Sequence, residues 1–431
     1  MSVSSRRVLI SGAGIAGPVF AHWLGRAGIT STLVERAPNV RTSGQTIDIR
    51  GKARGVMAQM GVEQKIRDAC TFEEGLYFFN SDDKPLAAFP VDVESGNSPT
   101  CDIEILRYKL CSIFVDASKD TTEYVFSDSI KSITQDEREA VVEFESGKKE
   151  SYDVVVLADG MLSRARSLVF PKEGEENGVQ YKSIGTMVSY FTIPYVPEED
   201  GTWSRIRVGT QARNAWIRPD GQCEQPTTRA FLLTRNAEAK RRFANYRKMD
   251  IAAQKKIWRE VFQDAGWKTN RILDGMDAST GKPDDDFYMQ DIAQIKTKKW
   301  SKGRVFLLGD AAHCPSPMSG MGTSTAIVGA YVLANELAKQ PDWADLQQVT
   351  SAFDNYDKVC RPYVEDAQKI PELVFRLCFP SSQLGVRVVN LGFSVVNFFA
   401  HSPFFNRLAG LMKRKGEQEE DKLLKLPKYG R

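Results

Sequence analysis

The first residues of the chain alternate short apolar runs with glycine-containing turns. Residues 8–11 form an apolar run that predicts a β-strand, and Ile15–Ala27 has the length and apolar spacing of a helix that ends at Gly28. Residues 30–34 predict a second strand, which runs into Glu35. A strand, a helix and a second strand in this order predict a βαβ unit, and hence a parallel sheet.

Further along the chain the apolar pattern changes twice. A helix over 99–117 and strands over 123–126, 140–144 and 153–157 continue the first pattern. Strands with alternating polar and apolar residues then predominate, over 188–195, 205–208 and 229–233. A charged helix follows them over about 247–265. A strand over 300–308 and a long apolar helix from Gly320 to Leu337 return to the first pattern. We therefore predict an α/β fold in which a sheet-based domain is inserted into a Rossmann-like domain.

Composition and charge exclude several classes of protein. The 431 residues are 42% hydrophobic and 26% charged, with a formal net charge of +3, so no nucleic-acid partner is expected. The seven cysteines are scattered and never form a CxxC pair, and the three histidines lie far apart. We expect neither a disulfide framework nor a metal site, and a reducing, cytoplasmic compartment.

Two apolar segments could be mistaken for membrane or targeting elements. The run that follows Arg6-Arg7 contains three glycines and Pro18, which suit a strand, a turn and a helix better than a signal peptide. No stretch reaches the roughly 20 apolar residues of a membrane span. The C-terminal segment Val386–Met412 is interrupted by charged residues and Pro403, so we expect helices packed against the body. A peripheral contact with a membrane stays open.

The first chemical motif is Gly12-x-Gly14-x-x-Gly17, between the first strand and helix. Gly12 permits a tight turn, Gly14 lets the backbone approach a pyrophosphate, and Gly17 lets helix and strand pack closely. The anion would lie at the positive helix N-terminus, and Glu35 would bind ribose hydroxyls. The motif predicts a dinucleotide site but does not by itself distinguish FAD from NAD.

Two further motifs follow predicted strands. The first is Asp159-Gly160-x-x-Ser163-x-x-Arg166, and the second is the run Gly309-Asp310-Ala311-Ala312-His313. With the glycine motif before them, the chain resembles the single-component (class A) FAD-dependent monooxygenases of the para-hydroxybenzoate hydroxylase type, over essentially all residues to about 370. Within that family it looks most similar to the branch that contains tetracycline-inactivating monooxygenases.

The resemblance implies a non-covalent FAD and a role for each matching residue. Glu35 would bind the adenosine ribose, with Arg36 beside the adenine. The matching FAD-binding positions are Gly12, Gly14, Gly17, Glu35, Arg36, Arg107, Asp159, Gly160, Asp310 and Gly322. Among them Arg107 would reach the phosphates and ribityl chain, and Asp310 would hold a ribityl hydroxyl. Asp159 and Gly160 match an element that the family uses for both FAD and the reduced nicotinamide.

The segment Pro317-x-x-Gly320-Met321-Gly322 precedes the long apolar helix. The resemblance implies that its unpaired N–H groups and the positive end of the helix dipole face the pyrimidine edge of the flavin, where they would stabilise the reduced anion. We assign Pro317, Gly320 and Gly322 as catalytic positions through their backbone, and we assign no side-chain acid or base. His313 is interpreted as a packed histidine of its turn.

The chain departs from many relatives at two positions. Ser324 stands where many have asparagine, and Gly329 where many have aspartate. Ser324 can still form a cap or a hydrogen bond. Gly329 costs the helix roughly 1 kcal/mol relative to alanine and can permit close packing. The run Trp216-Ile217-x-Pro219 faintly resembles a halogenase signature but lacks its first tryptophan, so we interpret it as a strand of the inserted sheet.

The predicted function is oxygen insertion into an aromatic or polycyclic, secondary-metabolite-like substrate. NADPH or NADH would reduce FAD, and oxygen would be transferred from O2 through a flavin hydroperoxide. The inserted domain is rich in aromatic and arginine residues, which fits a phenolic or polyketide-like substrate: Tyr190, Phe191, Trp203, Arg205, Arg207, Arg213 and Trp216. The alternatives are another flavoenzyme, such as a dehydrogenase or halogenase, and a non-catalytic flavin-binding protein.

The predicted organisation has four parts. A Rossmann-like FAD-binding domain comprises residues 1–177 and 291–370, and its first part includes an excursion into the inserted domain at about 72–100. The inserted β-sheet substrate domain comprises residues 178–290. A C-terminal helical segment comprises residues 371–431. The sequence gives no oligomeric state and does not name the substrate.

Overall fold

A computed structural model gives the fold of the chain. It describes residues 6–40, 44–71, 73–91, 101–176, 178–220, 226–282, 285–370, 377–400 and 424–428. The strands are β1 Val8–Ser11, β2 Ser31–Glu35, β3 Thr46–Asp48, β4 Gly75–Phe79, β5 Pro85–Pro90, β6 Glu104–Leu106, β7 Thr122–Phe126, β8 Ile130–Gln135, β9 Ala140–Phe144, β10 Lys149–Tyr152, β11 Val154–Leu157, β12 Gln180–Pro194, β13 Ser204–Val208, β14 Arg213–Asp220, β15 Thr227–Thr234, β16 Tyr288–Lys296, β17 Ser301–Lys302 and β18 Val305–Leu307.

Helices cover both sheets and form most of the last described part of the chain. They are α1 Ala16–Arg26, α2 Lys52–Met60, α3 Glu63–Asp68, α4 Arg107–Asp116, α5 Arg166–Val169, α6 Pro197–Asp200, α7 Ala237–Arg242, α8 Ile251–Phe262, α9 Thr269–Ala278, α10 Asp310–His313, α11 Gly322–Ala338, α12 Leu346–Ala367 and α13 Gln383–Ala400. Two 3-10 turns are formed by Tyr246–Lys248 and Pro317–Ser319.

The first layer is a six-stranded sheet in the order β17-β18-β11-β1-β2-β7. Five of its strands run parallel, and β17 joins the edge antiparallel to β18. Strands β1 and β11 are fully buried, which explains why they read as continuous apolar runs. Helices α1 and α11 pack against each other, with the rings of Trp23 and Tyr331 4.7 Å apart. The predicted Rossmann-like core is confirmed.

The second layer is a seven-stranded sheet in the order β16-β12-β15-β14-β13-β4-β5. Strands β4 and β5 come from residues 75–90, before the rest of this sheet in the chain, and β4 pairs parallel with β13. Helices α8 and α9 cover one face through a core that includes Phe191, Trp258 and Ile272. An additional three-stranded sheet, β10-β9-β8, and the pair β3-β6 complete the predicted mixed α/β class.

Several element boundaries differ from the sequence predictions. The helix expected over 99–117 begins at Arg107, because residues 104–106 form β6 and pair with β3. The strand expected over 300–308 is two strands, since Gly303 turns the chain with a φ of +58°. The charged helix begins at Ile251, where the Asp250 side chain accepts the Ala253 N–H at 2.7 Å. Helix α9 was not predicted.

The C-terminal helix α13 packs on the edge hairpin of the seven-stranded sheet. The rings of Phe78 and Phe393 stack 3.9 Å apart, and the Asn397 side chain accepts the Ala88 N–H at 2.9 Å. The predicted packing of helices against the body is therefore observed over 383–400, while its continuation over 401–412 lies outside the described residues. Across the described parts of the chain, no helix is long and apolar enough to cross a membrane.

Candidate active site

A cavity of about 1100 Å³ lies between the two sheets. One side of it is formed where β1, β2 and β11 end, at the carboxyl edge of the parallel sheet, which is where ligands bind in such folds. The other side is formed by β12, β14, β15 and β16. Single-ligand pockets have volumes of roughly 300–1,000 Å³, so this space is large enough for an extended cofactor together with a second molecule.

The glycine motif forms a tight loop against the parallel sheet. Gly12 has a φ of +111°, and a Cβ there would lie 2.6 Å from the Ala158 carbonyl oxygen. A Cβ at Gly17 would collide with the carbonyl oxygen of Gly12, so Gly17 serves the packing of helix on strand and does not line the cavity. At Gly14 a Cβ would instead project toward the cavity, 3.9 Å from the Arg107 guanidinium. The loop therefore leaves bare backbone facing the cavity.

Glu35 is fixed in place by the loop it faces. One carboxylate oxygen accepts the Ala13 N–H at 2.9 Å, and the other accepts the Ala37 N–H at 3.0 Å. Each carboxylate oxygen can accept more than one hydrogen bond, so both retain capacity for hydroxyl donors. Arg36 is exposed and lines the same end of the cavity.

Arg107 and Asp310 carry opposite charges on facing walls of the cavity. Their side chains are accessible from the cavity yet enclosed by protein around it. Burial raises the pKa of the Asp310 carboxyl, and the positive charge of Arg107 offsets part of that rise. Asp310 also lies close to Gly322, whose added Cβ would be 3.9 Å from its Oδ1. A polar cofactor segment between these residues would meet a cation on one side and a hydrogen-bond acceptor on the other.

The second and third motifs are tied to each other. Ser163 donates to Asp159 Oδ1 at 2.6 Å, and its hydroxyl accepts the Arg166 N–H at 3.0 Å. The Arg166 guanidinium in turn donates to the carbonyl oxygens of Met161, at 3.0 Å, and Ala311, at 2.7 Å. Burial raises the pKa of the Asp159 carboxyl, which the hydrogen bond from Ser163 partly counteracts. Asp159 and Gly160 line the cavity as part of this linked structure.

The segment before α11 turns its backbone toward the cavity. Pro317 begins a 3-10 turn that ends at Ser319 and is capped by Gly320, whose φ is +64°. The helix itself begins at Gly322, two residues later than predicted. A Cβ at Gly322 would have no neighbour nearer than 3.8 Å, at Pro315 Cγ, so nothing in the protein requires glycine there. Pro317, Gly320 and Gly322 all line the cavity.

The sequence analysis missed a buried charge cluster beside the cavity. Arg218 on β14 lines the cavity and donates from Nε to Glu73 Oε2 at 3.0 Å, and its Nη2 contacts Glu104. Both carboxyl groups are buried, and burial raises the pKa of each despite Arg218. Asp48 adds further negative charge and pairs with Arg50 at 2.7 Å. No short motif joins Glu73, Glu104 and Arg218, because they lie far apart in the chain.

Aromatic rings form the wall opposite the nucleotide loop. The rings of Tyr190 and Tyr288 stack 4.7 Å apart, and Trp216 stacks on Phe231 at 5.0 Å. The guanidinium of Arg218 lies 4.9 Å from the Trp216 ring centre. All five side chains line the cavity. Trp216 thus belongs to a strand of the large sheet, as its sequence context indicated.

Three other positions singled out from the sequence have structural roles. His313 is buried beneath the cavity wall, with its ring 4.8 Å from Trp300 and its Nε2 3.3 Å from the Tyr356 hydroxyl. Ser324 accepts the Arg50 N–H at 3.0 Å. Gly329 permits close packing, because a Cβ there would lie 2.7 Å from the Tyr356 hydroxyl oxygen. Among the described residues, no group of His, Cys, Asp or Glu could hold a metal ion.

Comparison with known proteins assigns the chain to a family. A family model described as an FAD binding domain matches residues 5–369. The chain belongs to this family of FAD-dependent monooxygenases. This monooxygenase is 32% identical to the FAD-dependent monooxygenase asL6 of Sarocladium schorii, over 98% of each chain. It is 33% identical to the monooxygenase CTB7 of Cercospora beticola, over 92% of this chain and 94% of the relative.

Solved structures agree with the assignment. The tetracycline destructase Tet(55) superposes on the monooxygenase with a TM-score of 0.77 at 29% identity, over the whole of both chains. HpxO of Klebsiella pneumoniae, solved with FAD and uric acid, gives a TM-score of 0.72 over 96% of this chain and 97% of its own, and its 17% identity supports the fold alone. The resemblance predicted from the sequence is confirmed, and so is the prediction of an FAD-dependent monooxygenase.

Proposed function

We propose that the monooxygenase uses NADPH or NADH and O2 to insert one oxygen atom into an aromatic or polycyclic substrate. The observation that carries the proposal is the single cavity that joins the glycine loop to the aromatic wall. A cofactor extended along the first side would bring its far end to the start of α11, opposite Trp216 and Tyr190. Bound FAD would supply the redox chemistry, which takes two electrons from the nicotinamide and delivers one oxygen atom of O2 to the substrate and the other to water.

The residues of the first side fit FAD. Gly14 and Gly322 present bare backbone where a Cβ would enter the cavity, so a flat or phosphate-bearing ligand can approach closely. Glu35 would hold the ribose hydroxyls, Arg107 the phosphates and Asp310 a ribityl hydroxyl. Arg36, Asp159 and Gly160 would complete the binding site. The N–H groups at the start of α11 would face the pyrimidine edge of the flavin and stabilise negative charge there.

The second side suits a planar, electron-rich substrate. Stacked rings recognise aromatic faces, and they exclude water from the reacting atoms. Gln290 donates to the Tyr190 hydroxyl at 3.1 Å, which fixes the orientation of one ring of this wall. The similarity to a tetracycline destructase, whose name gives a polycyclic compound as its substrate, makes a phenolic or polyketide-like compound the substrate class to test first. No disulfide joins the six described cysteines, which supports a reducing compartment, and we place the enzyme in the cytoplasm.

The test begins with the purified protein, which should show an oxidised-flavin spectrum and release FAD on denaturation. A colourless protein that does not take up added FAD would contradict the cofactor assignment. A panel of phenolic and polyketide compounds should then be scored for stimulated NADPH or NADH oxidation. The product should carry one oxygen atom from isotopically labelled O2. Substrate oxidation without label would indicate a dehydrogenase, and chloride-dependent product would indicate a halogenase.

A further inference from the structure

The outward face of α13 concentrates the exposed apolar surface of the described chain. Seven of the twelve exposed large hydrophobic residues in the described ranges lie on this one helix. Five of them repeat at intervals of four and three residues, which places them on one side of the helix. They form the outward stripe, namely Leu384, Val388, Leu391, Val395 and Phe398. Phe398 is 76% exposed and Leu384 is 71% exposed.

The orientation of this helix is fixed by its other face. Val386 is buried, Phe393 stacks on Phe78, and Asn397 is hydrogen-bonded to β5. The outward stripe therefore points away from the body because the inward contacts require it. A helix that is apolar on both sides is normally covered on both, and contiguous exposed apolar surface marks an interaction site.

The sequence around α13 carries an unusual excess of positive charge. Residues 373–416 contain six basic residues and no aspartate or glutamate, although acidic residues are nearly as frequent as basic ones in the whole chain. The basic residues are Arg376, Arg387, Arg407, Lys413, Arg414 and Lys415. Such a segment is attracted to an anionic surface, and the attraction weakens as salt is added.

We propose that the outward stripe of α13 docks on the surface of a membrane that contains anionic lipids. The apolar side chains would enter the boundary between headgroups and acyl chains, and the exposed side chain of Arg387 on the same helix would pair with the headgroups. A second copy of the chain is a poorer occupant, because pairing two such segments would bring like charges together. The helix lies flat on the surface in this arrangement and does not cross the bilayer.

Vesicle binding of the full-length, FAD-loaded protein tests the proposal. The protein should float with vesicles made of equal parts phosphatidylcholine and phosphatidylserine, and raising the salt concentration should release part of it. Vesicles of phosphatidylcholine alone should bind less. Leu391→Glu should weaken binding by about tenfold or more, because it replaces an apolar side chain that would enter the membrane with a negative charge that the anionic headgroups repel. The flavin spectrum and NADPH oxidation should stay unchanged.

The matched control is Ile251→Glu, since Ile251 is exposed to 45% at the start of α8, on another element. It should bind vesicles like the wild type. An equal loss of vesicle binding in both variants would overturn the proposal, because the effect would then reflect net charge alone. Wild-type protein that binds neither kind of vesicle would also overturn the proposal. In that case, a dimer that forms in the wild type and not in Leu391→Glu would identify a second copy as the occupant. Monomers in both proteins would indicate that another part of the same chain covers the outward stripe.

Discussion

The guanidinium of Arg166 donates to the carbonyl oxygen of Ala311 at 2.7 Å and joins two motifs that lie 145 positions apart. Its second nitrogen binds the Met161 carbonyl oxygen in the loop that holds Asp159. The spacing of the Asp159 motif therefore has a structural role in this chain. It holds the loop after β11 at a fixed distance from α10, whose first residue is Asp310.

Replacing Arg166 should loosen both motifs together. Arg166→Met removes the donors to two carbonyl oxygens, so we expect the free energy of unfolding to fall by about 1–3 kcal/mol. FAD affinity should fall as well, because the loop and α10 lose their common support. Denaturant titration with and without FAD measures both effects. Arg138→Met, at an exposed turn before β9, is the control and should change neither. Unchanged FAD affinity in Arg166→Met would show that the bridge is irrelevant to the site.

Asp310 should matter for the cofactor more than for the fold. A buried carboxylate that accepts a hydroxyl hydrogen bond contributes on the order of 1.5–3 kcal/mol, so Asp310→Ala should weaken FAD binding by about ten- to a hundredfold. Asp310→Asn keeps the shape of the side chain and one acceptor oxygen, so it should weaken FAD binding less. Titration of the apo-protein with FAD gives the dissociation constants, and thermal unfolding without FAD reports the fold. If Asp310→Ala binds FAD like the wild type, the assignment of this residue is wrong.

The charge cluster around Arg218 predicts an unusual response to mutation. Burial raises the pKa of the Glu104 carboxyl well above its ordinary value, so this side chain is neutral over a pH range where the unfolded chain is ionised. Stability from this group is present at low pH and lost as the pH rises toward the raised pKa. Glu104→Gln should therefore leave stability at pH 5 nearly unchanged and increase it at pH 9.

Thermal unfolding at the two pH values measures this difference. Glu73→Ala is the comparison, because it removes the oxygen that accepts the hydrogen bond of Arg218 Nε, so it should not stabilise the protein at pH 5. A Glu104→Gln variant that is strongly destabilised at both pH values would show that Glu104 is ionised in the fold.

His313 predicts a second pH effect with the opposite direction. Burial lowers its pKa from an ordinary value of 6.5 to about 4. Between those values the unfolded chain binds a proton that the folded chain does not, so stability is lost as the pH falls through this window. The difference corresponds to roughly 3 kcal/mol. His313→Gln should flatten the dependence of the melting temperature on pH between 6.5 and 4, and a profile as steep as that of the wild type would refute the effect.

The sequence predicted the parts of the site that are local in the chain. Gly12 and Glu35 could be recognised because a βαβ unit brings a loop and a strand end together over only 23 positions. The same holds for the start of α11, although its first residue was placed two positions too early. Arg218 and Glu73 could not be paired from the sequence, because they lie 145 positions apart. Their contact depends on the parallel pairing of β4 with β13, which no turn motif or residue spacing in the sequence predicts.

The start of α11 offers the sharpest test of where the flavin lies. Gly322 is the first residue of the helix and has no positive φ, so a side chain there strains no backbone. A Cβ at this position also meets no protein atom closer than 3.8 Å. Gly322→Val should therefore fold normally, and we expect its defect to lie in the approach of the ligand to this backbone.

We expect Gly322→Val to retain some FAD, because the proposed contacts of Glu35 and Arg107 with the cofactor would remain. The flavin ring would be pushed from the N–H groups that favour its reduced anion, so its reduction potential should fall and product formation should slow. A redox titration beside single-turnover kinetics measures both. Gly55→Val, at a helical glycine of α2 with open space around it, is the matched control and should change neither. If Gly322→Val is reduced and forms product like the wild type, α11 does not face the flavin, and the reacting end of the cofactor lies elsewhere in the cavity.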